Sequence, residues 1–107
     1  DEFSYSNHIK LCGTIKHIAH RKLNAGIKIT DFKVTVNKRL TGKVCYIPCV
    51  SWDRNAETVK NWKAGDTVEL CGKIRSRDYI KATEEGDVEE KRTYEISVDT
   101  IKRINTQ

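Results

Sequence analysis

No run of 18 apolar residues occurs in the chain, so no helix of this sequence can cross a bilayer. No basic and apolar leader stands at the N-terminus, and no signal peptide is expected. Cys12, Cys45, Cys49 and Cys71 include no C-x-x-C pair, which argues against a zinc ribbon. Without a secretion signal, the four thiols are expected to stay reduced, in a cytoplasmic compartment. His8, His17 and His20 lack the helical or turn spacing of a metal pocket, so they are expected to be surface or hydrogen-bonded residues. There is no G-x-S-x-G, no Walker loop and no H-E-x-x-H; catalytic residues, metals and cofactors are therefore not expected, nor is enzyme activity. Proline occurs once, at Pro48. Methionine is absent and the chain starts at Asp1, so residues 1–6 are read as an extension preceding the domain or as residues left by cloning.

What is present fits one domain of 107 residues, large enough to hold a core without staples. The net charge is +5, which favours an anionic partner, nucleic acid first. Charge is also segregated. Between Ile80 and Lys91, five carboxylates (Glu84, Glu85, Asp87, Glu89 and Glu90) face two lysines, a balance of −3, so the rest of the chain carries +8. One acidic loop interrupts a basic body.

Period-two patterning dominates. Ile9, Leu11, Gly13 and Ile15 alternate with polar residues over His8 to Lys16, a half-buried strand. Asn24-Ala25-Gly26 marks a turn. The second strand runs from Ile27 to Asn37, and its apolar phase slips between Ile29 and Phe32, which predicts a bulge near Thr30-Asp31. Lys38 to Lys43 reads as a hairpin tip. On the third strand, Val44 to Trp52, the positions of Tyr46, Pro48, Val50 and Trp52 share one face; Pro48 implies an edge or bulge. A helix is predicted over Asp53 to Ala64, capped by Asp53 or Asn55 and ended by Gly65, with Ala56, Val59 and Trp62 turned to the core. Thr67 to Arg75 is the fourth strand, with Val68, Leu70, Gly72 and Ile74 inward. The acidic hairpin has Gly86 at its tip. Arg92 to Val98 is the fifth strand, with Tyr94, Ile96 and Val98 on one side. The order β-β-β-α-β-β in an all-β domain with one short helix is that of the five-stranded OB-fold barrel. Gly13 and Gly72 sit in matching strand contexts and permit the bends that closure demands.

Three segments resemble the bacterial and phage single-stranded DNA-binding (SSB) family. They are Asn7-His8-Ile9-Lys10-Leu11-Cys12-Gly13, Trp52-Asp53-Arg54-Asn55-Ala56-Glu57, and the stretch from Lys63 to Tyr79. The resemblance runs in order from Asn7 to about Ile104, making 7–104 the OB-fold domain. Asp53 departs from it, standing where the family often has Gly. So does the chain's end: 105–107 closes it without the family's linker and acidic, Phe-ended tip, which recruits replication proteins. A trimmed chain and a tailless relative, such as a phage SSB or a primosomal N-type protein, remain open. The resemblance also implies self-association as a homotetramer or homodimer.

Binding single strands without regard to sequence needs aromatic faces for the bases and a basic track for the phosphates. Tyr46 and Trp52 share a strand face, and the resemblance implies base-stacking aromatics where Tyr46, Trp52 and Tyr79 stand. Lys73, Arg75 and Arg77 share one phase of the fourth strand and lead to Tyr79. Lys38, Arg39 and Lys43 at the second hairpin are further candidates for phosphate contact, and Arg54 holds a position that the resemblance implies is usually basic. The expected function is non-catalytic binding of single-stranded DNA in replication, recombination or repair. A primosomal adaptor with weak DNA binding, or an OB-fold module for RNA or protein, stands as the alternative.

Overall fold

A computed structural model describes residues 7–37 and 41–104, except the side chains of Arg77 and Tyr79. Five strands and one helix follow the expected order: β1 (Ile9–Lys22), β2 (Lys28–Asn37), β3 (Val44–Trp52), α1 (Asp53–Lys60), β4 (Thr67–Ala82) and β5 (Val88–Ile104). The strands close into a barrel in the order β1-β2-β3-β5-β4. All neighbours are antiparallel except β3 and β5, which pair in parallel only at Cys49↔Ile96 and Val50↔Ser97. This parallel pairing begins directly after Pro48. Up to that residue, β3 pairs on its β2 side alone among the described residues, and there the missing proline N–H costs no ladder bond.

The core is aliphatic. Ile15, Val34, Val59, Val68 and Leu70 are fully buried, with Phe32, Cys49, Ile96 and Val98 around them. Two buried hydroxyls are paired: Thr30 Oγ1 donates to the Ala56 carbonyl at 2.8 Å, and Ser51 Oγ to the Thr30 carbonyl at 3.0 Å. Burial pushes the Cys49 thiol up to about 12, with Glu95 adding to the shift, so this cysteine stays a neutral thiol. Cys12 and Cys71, by contrast, are exposed on the outer faces of β1 and β4.

Gly13 and Gly72 mark the tightest approaches in the barrel. A methyl on Gly13 would overlap the Thr35 carbonyl and the Val34 side chain; on Gly72 it would overlap the Ser97 carbonyl and the Ile96 side chain. β4 changes register against β5 between Cys71 and Gly72. Both glycines thus stand where a neighbouring strand comes too close for a side chain, and at Gly72 this coincides with the register change.

Several expectations need correction. The bulge lies in β1, not in β2: pairing of β2 with β3 is unbroken from Ile29↔Trp52 to Asn37↔Val44, whereas the β1–β2 register shifts between Lys16 and Ala19. The slip in β2 arises because Ile29 and Thr30 are both buried, so neither face of the strand is exposed there. α1 ends at Lys60 and has no side-chain cap. Asp53 instead accepts a long 3.4 Å bond from the Lys28 N–H, and Asn55 donates to the Asp99 carbonyl at 3.0 Å. β1, β4 and β5 run beyond their apolar segments. Ile74 and Tyr94 keep the inward phase but are 44% and 59% exposed, because β4 and β5 continue past the end of the core.

Asp53 has a φ of 48°, in the left-handed region that costs an L-residue about 1–2 kcal/mol. Asp53→Gly is expected to raise stability by about 0.5–1 kcal/mol, the gain reduced by the chain entropy of glycine. A higher urea midpoint at unchanged slope would show it; a lower midpoint would mean that the carboxylate matters more than the backbone.

Candidate nucleic-acid interface

β3 and β4 are not adjacent, yet barrel closure brings their outer residues together. The Arg75 guanidinium lies over the Trp52 ring, 5.7 Å from its centroid. Trp52 is half-buried at the end of β3, and Arg75 is exposed on β4. Glu95, opposite Arg75 in the β4–β5 ladder, forms an ion pair with the guanidinium at 3.7 Å, its own side chain only 10% exposed. An indole, a planar cation and a carboxylate that fixes the cation thus form one constellation. Such a pair offers a π-face for a base and a charge for a phosphate.

Tyr46, on the same strand phase as Trp52 and six residues before it, is 56% exposed. In an extended strand that separation is about 20 Å. The face between them is not open throughout. Val50 is fully buried, where β5 and α1 both pack against β3. Tyr46 neighbours the ring of His17, a residue the sequence reading left aside. A signal for it was present: the apolar phase of β1 passes from odd to even between Ile15 and Ile18, which places the irregularity around His17.

Lys73 is exposed on the same β4 phase as Arg75, and Lys43 is exposed just before β3. Arg54 is exposed in the first turn of α1, two residues beyond Trp52. The backbones of Arg77 and Tyr79 continue β4, opposite Thr93 and Lys91; their side chains lie outside the described structure. Lys38 and Arg39 also lie outside the described residues. Trp62 is separate from this group: it packs against the core and carries Arg103 at 5.9 Å from its ring.

The acidic residues cap the far end of the β4–β5 hairpin, whose turn is closed by Thr83 and Asp87. Ion pairs with Lys91 and Arg92 take up part of the charge on that hairpin, at Glu89 and Asp78. The Arg92 hydrogen bond holds the Asp78 carboxyl below its usual range.

The sequence profile of the single-strand binding protein family matches residues 6–104. The chain belongs to the single-strand binding protein family. Among curated relatives it is 28% identical over 80 residues to single-stranded DNA-binding protein 1 of Streptococcus pyogenes, a match covering 68% of this chain and 62% of that protein. Its fold is that of the single-stranded DNA-binding protein from Thermus aquaticus, with a TM-score of 0.75 at 15% identity, over 94% of this chain and 41% of the other. The chain thus spans under two thirds of the length of these relatives.

Proposed function

We propose that this chain binds single-stranded DNA with little regard to sequence and does no chemistry on it. The observation that carries the proposal is the Trp52–Arg75 pair on the outer face of a barrel of this family. Base stacking on Trp52 and Tyr46 supplies most of the non-electrostatic affinity, at about 1–3 kcal/mol per base. Lys43, Arg54, Lys73 and Arg75 meet phosphates, and the proposed track extends to Arg77, Tyr79, Lys38 and Arg39. Protection of single strands in replication, recombination or repair is the role this chemistry suits.

Titration with oligo-dT tests the reading. Binding is expected to quench tryptophan fluorescence, because Trp52 belongs to the interface, and to weaken as salt rises. Unchanged fluorescence together with no retention of the oligonucleotide would sink it.

Self-association belongs to the same proposal. Ile9, Leu11, Ile47, Ile74, Tyr94 and Ile96, together with Glu95, line a largely apolar recess of about 350 Å³ at the barrel surface, an area suited to cover by another copy of the chain. A dimer or tetramer is expected in solution mass measurements.

The acidic hairpin is proposed to point away from the bound strand. Six ladder positions separate Arg75↔Glu95 from Lys81↔Glu89, about 20 Å, or more than two Debye lengths at physiological salt. Tyr79, at the end of the proposed track, stands only two positions from Lys81, so the acids are screened from the Trp52–Arg75 centre and not from that end. Changing Glu84, Glu85, Asp87, Glu89 and Glu90 to Gln is expected to raise oligo-dT affinity by no more than about threefold under those conditions. A large loss of binding would show that the acids take part.

A further inference from the structure

β1 carries a second residue with a strained backbone. Its core face runs through Ile15 on one phase and Ile18 on the other, and the extra residue falls between Lys16 and Ala19. His17 absorbs the slip with a φ of 54°, in the region where Gly or Asn sits at least cost. A bulge of this kind re-aims a side chain, and strain of this kind persists where the surroundings or a function hold it.

The direction it takes is informative. β1 and β3 are not neighbours; β2 lies between them, so their axes stand about 10 Å apart. The re-aimed ring of His17 nevertheless reaches across β2 to Tyr46, with centroids 6.3 Å apart and planes tilted by 45°. Both residues are exposed. His17 also forms one wall of a recess of about 260 Å³ whose other sides include Asp31, Lys33, Pro48 and Glu95.

We propose that His17 and Tyr46 form a slot that takes one nucleobase between their rings. The inference rests on the single-strand reading and adds to it a residue and a place for one base. Two stacked layers of about 3.5 Å each need about 7 Å between ring planes. The rings now stand tilted by 45° with centroids 6.3 Å apart, so the exposed Tyr46 ring must both turn parallel to His17 and move outward before a base enters. The recess beside the slot receives the edge of the base, with Lys33 at its rim for the adjoining phosphate. On this account the strain at His17 is the cost of aiming an aromatic ring from a strand that would otherwise point it elsewhere.

The test uses the whole chain and a labelled oligo-dT, read by anisotropy, with urea midpoints measured alongside. His17→Asn keeps a residue that tolerates the left-handed backbone and removes the ring. It is expected to fold at least as stably as the parent and to bind roughly 5- to 50-fold more weakly. His17→Phe keeps a stacking face without the imidazole and is expected to bind within about threefold of the parent. Equal binding by His17→Asn and the parent would overturn the slot while leaving the single-strand reading intact. Equal loss in the Asn and Phe variants, with both folded, would also overturn it, because the ring's face would then not be what matters. If the parent itself fails to bind oligo-dT, the single-strand reading falls and the slot with it.

Discussion

Trp52→Ala is expected to weaken oligo-dT binding roughly 5- to 150-fold, the range that one lost stacking contact corresponds to. The loss has two sources. The indole is a base-stacking face, and it is also the surface on which the Arg75 guanidinium rests. Without the ring, Arg75 keeps its ion pair with Glu95 and is drawn toward that carboxylate, away from a phosphate. Trp52→Phe should recover part of the affinity, since a smaller ring still stacks and still attracts the cation, though less strongly than indole does. Trp62 provides the internal control. It packs on the core beside Arg103, so Trp62→Phe is expected to keep the fluorescence quench on binding, whereas Trp52→Phe should abolish most of it. A quench that follows Trp62 instead would place the interface on the other side of the barrel.

The largest effect on stability is expected at the two barrel glycines. Gly13→Ala and Gly72→Ala each put a methyl against a backbone carbonyl of the neighbouring strand, Thr35 in one case and Ser97 in the other. A carbonyl in a sheet ladder cannot swing aside as a side-chain tip can, so the strands must part. Overpacking a tight site costs about 1–3 kcal/mol and occasionally more; with backbone as the obstacle, about 3 kcal/mol for each is expected. Against the roughly 5–15 kcal/mol that holds a domain of this size, the double variant is expected to lose about 6 kcal/mol, a large share of its stability. Urea denaturation checks this: the midpoint should fall steeply at constant slope. A cost below about 1 kcal/mol at both positions would mean that barrel closure does not depend on these approaches.

These glycines were visible in the sequence because each interrupts an apolar alternation that is otherwise regular. The same regularity made β1 through Ile15, the Ala56–Val59–Trp62 stripe and the Val68–Leu70 strand legible. Asp53 was visible as a departure from a glycine position, and its positive φ gives the departure a physical meaning. Legibility failed where structure depends on partners. Apart from Ile18, which packs on the core, His17 to Lys22 is exposed and mostly polar, so little in its pattern marks it as strand; the pairing of Ala19 to Lys22 with Lys28 to Asp31 does. The phase slip in β2 reflects burial of both faces at Ile29 and Thr30, and the extra residue belongs to the strand beside it. Cys12 and Cys71 occupy apolar stretches yet point outward, since alternation about Leu11 and Leu70 leaves them no other face. The Arg75–Trp52 contact joins residues that share no strand pair, and only the closed barrel brings them together. Periodicity placed Tyr46 and Trp52 on one face, but could not show that Val50 between them is buried, nor that His17 reaches Tyr46 across β2.

The central claim is that a single strand is held by stacking together with a few phosphate contacts from Lys43, Arg54, Lys73 and Arg75. Its most direct test is the salt dependence of oligo-dT affinity, with a duplex of equal length as competitor. Four phosphate contacts on a single strand give a log–log slope of about −3, and the further cations of the track, Lys38, Arg39 and Arg77, steepen it toward about −5, so affinity should fall at least about 50-fold between about 50 and 200 mM salt, with a stacking component persisting at the higher salt and the duplex competing poorly throughout. A slope near zero, or a duplex that competes as well as the single strand, would contradict the account.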